Sequence, residues 1–103
     1  MIRWSPTAPA RRACPHRRLT RLLAAELGAG AALGGSTLRP WASASFVGAR
    51  HRFDCTAEAM VLDALRVRLA TTEWRLPGHI VADVAVEPGE SHAFSIEILT
   101  VED

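Results

Sequence analysis

The chain has 103 residues, 49% of them hydrophobic, and a formal net charge of +1. That is enough for one small domain with a modest core. No apolar run approaches the roughly 20 residues that cross a bilayer, and two cysteines, Cys14 and Cys55, make neither a disulfide framework nor a CxxC pair, so a reduced, cytoplasmic protein is expected.

The charge is unevenly placed. All 12 basic residues are arginine. Arg3, Arg11, Arg12, Arg17, Arg18 and Arg21 precede the first acid, Glu26, and acids outnumber arginines from there to the C-terminus. Residues 1–17, with Pro6, Pro9 and Pro15, carry no usable apolar period and read as a disordered arginine-rich arm. Its guanidinium groups suit phosphate, which makes Arg11, Arg12, Arg17, Arg18 and Arg21 the candidate contacts for a polyanion. The order Arg17-Arg18, Leu22-Leu23-Ala24-Ala25, Ala42-Ser43-Ala44 also has the outline of a twin-arginine export signal. Glu26 interrupts its apolar part, and a solvated tail is the simpler reading.

Residues 18–103 read as a single small α+β domain in which one pattern occurs twice: a helix, then two strands joined by a tight turn. The first copy runs from about Leu19 to Cys55 and the second from about Thr56 to Val101. Leu19, Leu22, Leu23 and Leu27 follow the spacing of one helix face, weakened at Gly28 and ended by Gly34-Gly35. Glu26 falls at the margin of that face.

Trp41 to Cys55 reads as a hairpin about a two-residue turn at Gly48-Ala49, where glycine supplies the positive φ of a type II′ turn. That register puts Ala42, Ala44, Phe46, His51, Phe53 and Cys55 on one face, and Ser43, Ser45, Val47, Arg50, Arg52 and Asp54 on the other. One long strand bulged at Gly48 is the rival. The second helix is expected over Thr56 to about Trp74, with Val61, Leu62, Leu65 and Leu69 as its stripe, widened by Met60, Ala64 and Val67. Asp54 or Thr56 would cap it, and Leu76-Pro77-Gly78 would end it. The second hairpin closes on a three-residue loop, Pro88-Gly89-Glu90, pairing Val84 with Phe94, Ala82 with Ile96 and Ile80 with Ile98.

Burial then dictates the assembly. Two helices on one face of a four-stranded antiparallel sheet, in the order α-β-β-α-β-β, bury every apolar stripe in a two-layer sandwich. Strand order is not readable.

Chemistry is sparse. No phosphate-binding glycine loop, GxSxG elbow or RNA-binding aromatic signature is present. His51, Cys55 and His92 are the best metal constellation, without ligand spacing, and neither a metal nor a cofactor is expected. Glu26 and His51 could meet between helix and sheet as a general base. Cys55, ahead of a helix, could have a lowered pKa.

The open face of the sheet is more informative. It would carry Arg50 and Arg52 on one half, and Val81, Asp83, Ala85, Ser95, Glu97 and Leu99 on the other. A non-catalytic binding or assembly module, meeting itself or another protein through that face, is the leading expectation. Nucleic-acid binding through the arm is the second and a small enzyme using Glu26 and His51 the third.

Overall fold

A computed structural model describes residues 14–103. Among them the chain forms α1 (His16–Leu27), β1 (Ala31–Ala42), β2 (Val47–Ala57), α2 (Ala59–Thr71), β3 (His79–Pro88) and β4 (Ala93–Glu102). A 3-10 turn at Gly28–Gly30 links α1 to β1. The α-β-β-α-β-β order is therefore as read from the sequence. The strands make one antiparallel sheet in the order β1-β2-β4-β3, with both helices on one face. Most of the arm expected over residues 1–17, including Arg11 and Arg12, lies outside the described residues. His16 and Arg17 are already in α1.

In α1, Leu19, Leu23 and Leu27 recur every four residues and are buried. Each contributes about 2 kcal/mol by leaving water. Gly28 stops the helix with φ 64°, its N–H donating to the carbonyl of Ala24. Glu26 sits half-exposed at the margin of the buried face.

The first hairpin differs from the expected one. Its turn is Ser43–Phe46, not Gly48-Ala49. The Ser43 N–H donates to the Phe46 carbonyl at 2.7 Å, and the Ser43 hydroxyl accepts from the Phe46 N–H at 3.1 Å. Serine at the first turn position offers this local hydrogen bond. Gly48 instead lies inside β2, opposite Trp41 on one side and Val101 on the other. A Cβ there would collide with the Thr100 carbonyl oxygen and lie 3.0 Å from the Trp41 ring. The glycine is needed for close approach rather than for turning. The indole covers Gly48 as aromatic side chains cover sheet glycines, and its Nε1 is shielded with no partner among the described residues.

The strand pairing with β2 is Ala31–Ala42, which begins ahead of the Gly34-Gly35 expected to end the first helix and well before the hairpin start expected at Trp41. Between Leu33 and Ser36 the register slips: Leu33 pairs with Cys55 and Ser36 with Phe53, so Gly34 and Gly35 together oppose Asp54. This bulge moves Ser36 to the helix-covered face, where strict alternation would have turned it away.

Two corrections concern α2. Leu65 and Leu69 are buried and Val61 and Leu62 half-buried, but Met60 and Val67 are 84% and 68% exposed. Asp54 and Thr56 lie in β2, and the N-terminus at Glu58 has no side-chain cap. After α2, Leu76-Pro77-Gly78-His79 forms a type II turn, with Gly78 at φ 80° and the His79 N–H on the Leu76 carbonyl.

The second hairpin is also shifted. Val84 pairs with Ile98, Val86 with Ile96 and Pro88 with Phe94. The connection is Gly89 to His92, closed by the Gly89 N–H on the Ala93 carbonyl and the Ala93 N–H on the Glu90 carbonyl. A second slip between Val81 and Asp83 exchanges faces at the start of β3. Val81 packs against the core, and Ile80, 52% exposed, takes the open face. The core joins the α1 and α2 leucines to Phe53, Cys55, Phe94, Ile96 and Ile98. Trp74 packs against its margin.

Candidate functional site

The register arranges the open face in rows. Trp41, Gly48, Val101 and Ile80 form the first, and Arg39, Arg50, Leu99 and Asp83 the second. Thr37, Arg52, Glu97 and Ala85 form the third; Asp54, Ser95 and Glu87 form the fourth, beside the β1 bulge. The first row is apolar. In the second and third, arginine occupies β1 or β2 (Arg39, Arg50 and Arg52) and the acids Glu97 and Asp83 lie on β4 and β3.

Of the residues expected on this face, Arg50, Arg52, Asp83, Ala85, Ser95, Glu97 and Leu99 are there. Val81 is not: the β3 slip turns it onto Thr100 and the core. Arg39, Trp41, Ile80 and Val101 are additions that the sequence reading missed, because it placed β1 and the start of β3 differently. Arg50 meets Glu97 at 3.3 Å and Arg52 meets Asp54 at 3.4 Å, both solvent-exposed. Such pairs contribute little each. Arg39 and Asp83 have no ion-pair partner among the described residues.

The helix-covered face holds a second arrangement. His51, fully buried on β2, is hydrogen-bonded through both ring nitrogens: Nε2 to the Thr100 hydroxyl at 2.9 Å, and Nδ1 to Nδ1 of His16 at 2.8 Å. His16 Nε2 reaches the exposed Ser36 hydroxyl at 2.9 Å. The two imidazoles meet edge to edge, with centroids 5.1 Å apart and planes inclined by 17°, while His16 lies parallel to the Phe53 ring at 5.4 Å. Helix α1 supplies His16 at its first residue, and the β1 bulge supplies Ser36.

One proton arrangement satisfies the whole chain. In it the Thr100 hydroxyl donates to the Ala49 carbonyl at 3.4 Å and accepts from His51 Nε2–H at 2.9 Å. His51 Nδ1 then accepts from His16 Nδ1–H, and His16 Nε2 is left as the acceptor for the Ser36 O–H. Burial, with the nearby His16 and His79 charges adding to it, pushes the His51 pKa down to about 4. Burial lowers that of His16 as well. Both rings are thus kept neutral.

Other sequence candidates separate. His51 takes His16 and Thr100 as partners, not Glu26, which lies ten residues further along α1, about 15 Å by helical rise. Cys55 is buried, its thiol pushed up to about 11 by burial and by neighbouring Asp54; it is held back from reaction rather than activated. Exposed His92 meets Glu58 at 3.5 Å, so it does not join His51 and Cys55. No three metal-ligating side chains converge among the described residues.

Arg17, Arg18 and Arg21 are exposed on α1, and Arg18 Nε donates to the Arg75 carbonyl at 2.8 Å. A cleft of about 330 Å³ at the start of α1 is walled by Pro15, Leu38, Pro40, His79 and Thr100, with Cys14 and Glu102 at its rim. No hydrogen bond joins Cys14, His79 and Glu102. No described helix is long and apolar enough to cross a membrane. Comparison with protein-family models, curated proteins and solved structures gives no match.

Proposed function

We propose that the protein is a small assembly module that self-associates through the open face of its sheet. The observation that carries this reading is the way the rows map under two-fold symmetry. A two-fold axis parallel to the strands, between β2 and β4, turns one sheet onto another and exchanges its halves while keeping each row over itself. Trp41 then lies over Ile80 of the second copy, Arg52 over Glu97, and Arg39 over Asp83. The charges left unpaired within one copy become partners between two. An axis across the strands would lay β2 on β2 and set arginine against arginine.

The size of the face sets the strength. Four strands and four paired rows at ordinary sheet spacings cover roughly 500 Å² per copy. That is the small end of specific interfaces, so association is weak and concentration-dependent. Light scattering over a concentration series tests it. The weight-average mass is expected to rise towards that of a dimer, and Leu99→Arg, which sets a guanidinium over Arg50 of the second copy in the second row, is expected to hold the chain monomeric with its circular dichroism unchanged. A monomeric wild type at every concentration removes the reading.

A further inference from the structure

On the opposite face of the sheet, independent of self-association, we propose that Ser36 is a nucleophile activated by His16, able to transfer acyl groups from small activated carboxylic esters. Three observations support this. The Ser36 hydroxyl is hydrogen-bonded to His16 Nε2 at 2.9 Å, and His16 Nδ1 is hydrogen-bonded in turn to the buried His51 at 2.8 Å. A nucleophile bonded to a base, and the base to an orienting group, is the arrangement that nucleophilic catalysis requires. One tautomer pair supplies the base. With the Thr100 hydroxyl turned to the Ala49 carbonyl, His51 Nδ1 accepts from His16 Nδ1–H, which leaves Nε2 of His16 with the lone pair facing Ser36.

The third observation is the bulge. It turns Ser36 towards His16 while leaving it exposed, and a Cβ on neighbouring Gly35 would meet nothing within 4 Å. Bulges re-aim side chains in this way beside active sites. A small acyl group has room there, and the open approach excludes no particular leaving group.

The reaction balances without a further reactant. Ser36 Oγ attacks the carbonyl carbon of the ester as its proton passes to His16 Nε2. The tetrahedral adduct collapses, the bond to the alcohol oxygen breaks, and His16 returns the proton to the departing alcohol. Water then attacks acyl-Ser36 by the same route, releasing the carboxylic acid and restoring the serine. His51 is a positioning residue, holding the His16 tautomer and accepting from its N–H once the imidazolium forms.

A fluorophosphonate probe tests the assignment on the full chain. It bonds phosphorus to an activated serine oxygen and loses fluoride, and the adduct is read by mass and peptide mapping. Labelling is expected at Ser36 and to be absent in Ser36→Ala. His16→Gln is expected to slow it about 100-fold. His51→Gln, whose amide can both accept from His16 and donate to Thr100, is expected to retain labelling that His51→Leu loses. In Ser36→Cys the new thiol, beside His16, is expected to be alkylated by iodoacetamide at pH 6 faster than exposed Cys14 of the same chain. Folded wild type unlabelled at Ser36, or a rate indifferent to His16→Gln, overturns the nucleophile. Labelling that survives His51→Leu overturns the role of His51. Ser36→Cys reacting no faster than Cys14 overturns activation by His16.

Discussion

His51 shows how much one residue can be asked to carry in a small core. It has no exposed surface, yet both nitrogens have partners, so it satisfies the rule that buried polar groups are hydrogen-bonded. What it cannot accommodate is a second proton. With His16 Nδ1–H already directed at it, protonation would set N–H against N–H, and His79 adds further positive charge when protonated. Folded His51 titrates near pH 4, whereas the unfolded chain titrates near the ordinary value of 6.5. Between those limits the unfolded state binds a proton that the folded state does not. Stability is therefore full above pH 6.5 and falls as pH drops to about 4, by an amount on the order of 3 kcal/mol; His16, also lowered, acts in the same direction. Urea midpoints measured from pH 7 to 4 are expected to fall across this window and to flatten in His51→Gln. A flat wild-type profile would contradict the buried pair.

At the scale of elements, the slips in β1 and β3 and the close approach at Gly48 decide which residues face which way. Gly48 permits the direct test. Inside β2, Gly48→Ala drives a methyl into the Thr100 carbonyl and the Trp41 ring, and is expected to cost about 3 kcal/mol in chemical denaturation. At an exposed hairpin turn the same change would cost much less. The helices and their order were legible because Leu19, Leu23, Leu27, Leu65 and Leu69 repeat at helical spacing. The registers were not. Gly48-Ala49 has turn chemistry, and nothing local reveals that Thr100 will pack against it. Ala31 to Ser36, rich in alanine and glycine, has little strand propensity of its own and is held by pairing with β2. Most of the open face was nevertheless legible, because alternation survives a register error of an even number of residues, such as the four that separate Phe94 from Ile98 as the partner of Val84. The Ser36–His16–His51–Thr100 chain was not, since His16 read as part of the arm and the bulge that aims Ser36 leaves no local signal. The helix-facing side therefore carries the proposed nucleophile on residues that no motif connects.

For the whole molecule, the sheet divides two tasks. Its covered face closes the core and orients Ser36, His16 and His51. Its other face carries no helix among the described residues and presents an apolar row above opposed charges. Edge protection fits this division. Both edge strands are bulged, and Pro40 and Pro88 lie on them, so association by extending the sheet is discouraged and stacking on the face is left. The charge pairs across the proposed interface are expected to make the association salt-sensitive. A charge exchange examined by sedimentation velocity isolates the contact that the two-fold axis requires. Asp83→Arg alone sets arginine over Arg39 of the second copy and is expected to yield monomer. Combining it with Arg39→Asp restores opposite charges across the same contact, and is expected to recover the concentration-dependent dimer of the wild type. Asp83→Arg that still dimerises like wild type, or a double variant that stays monomeric while folded, would contradict self-association about that axis.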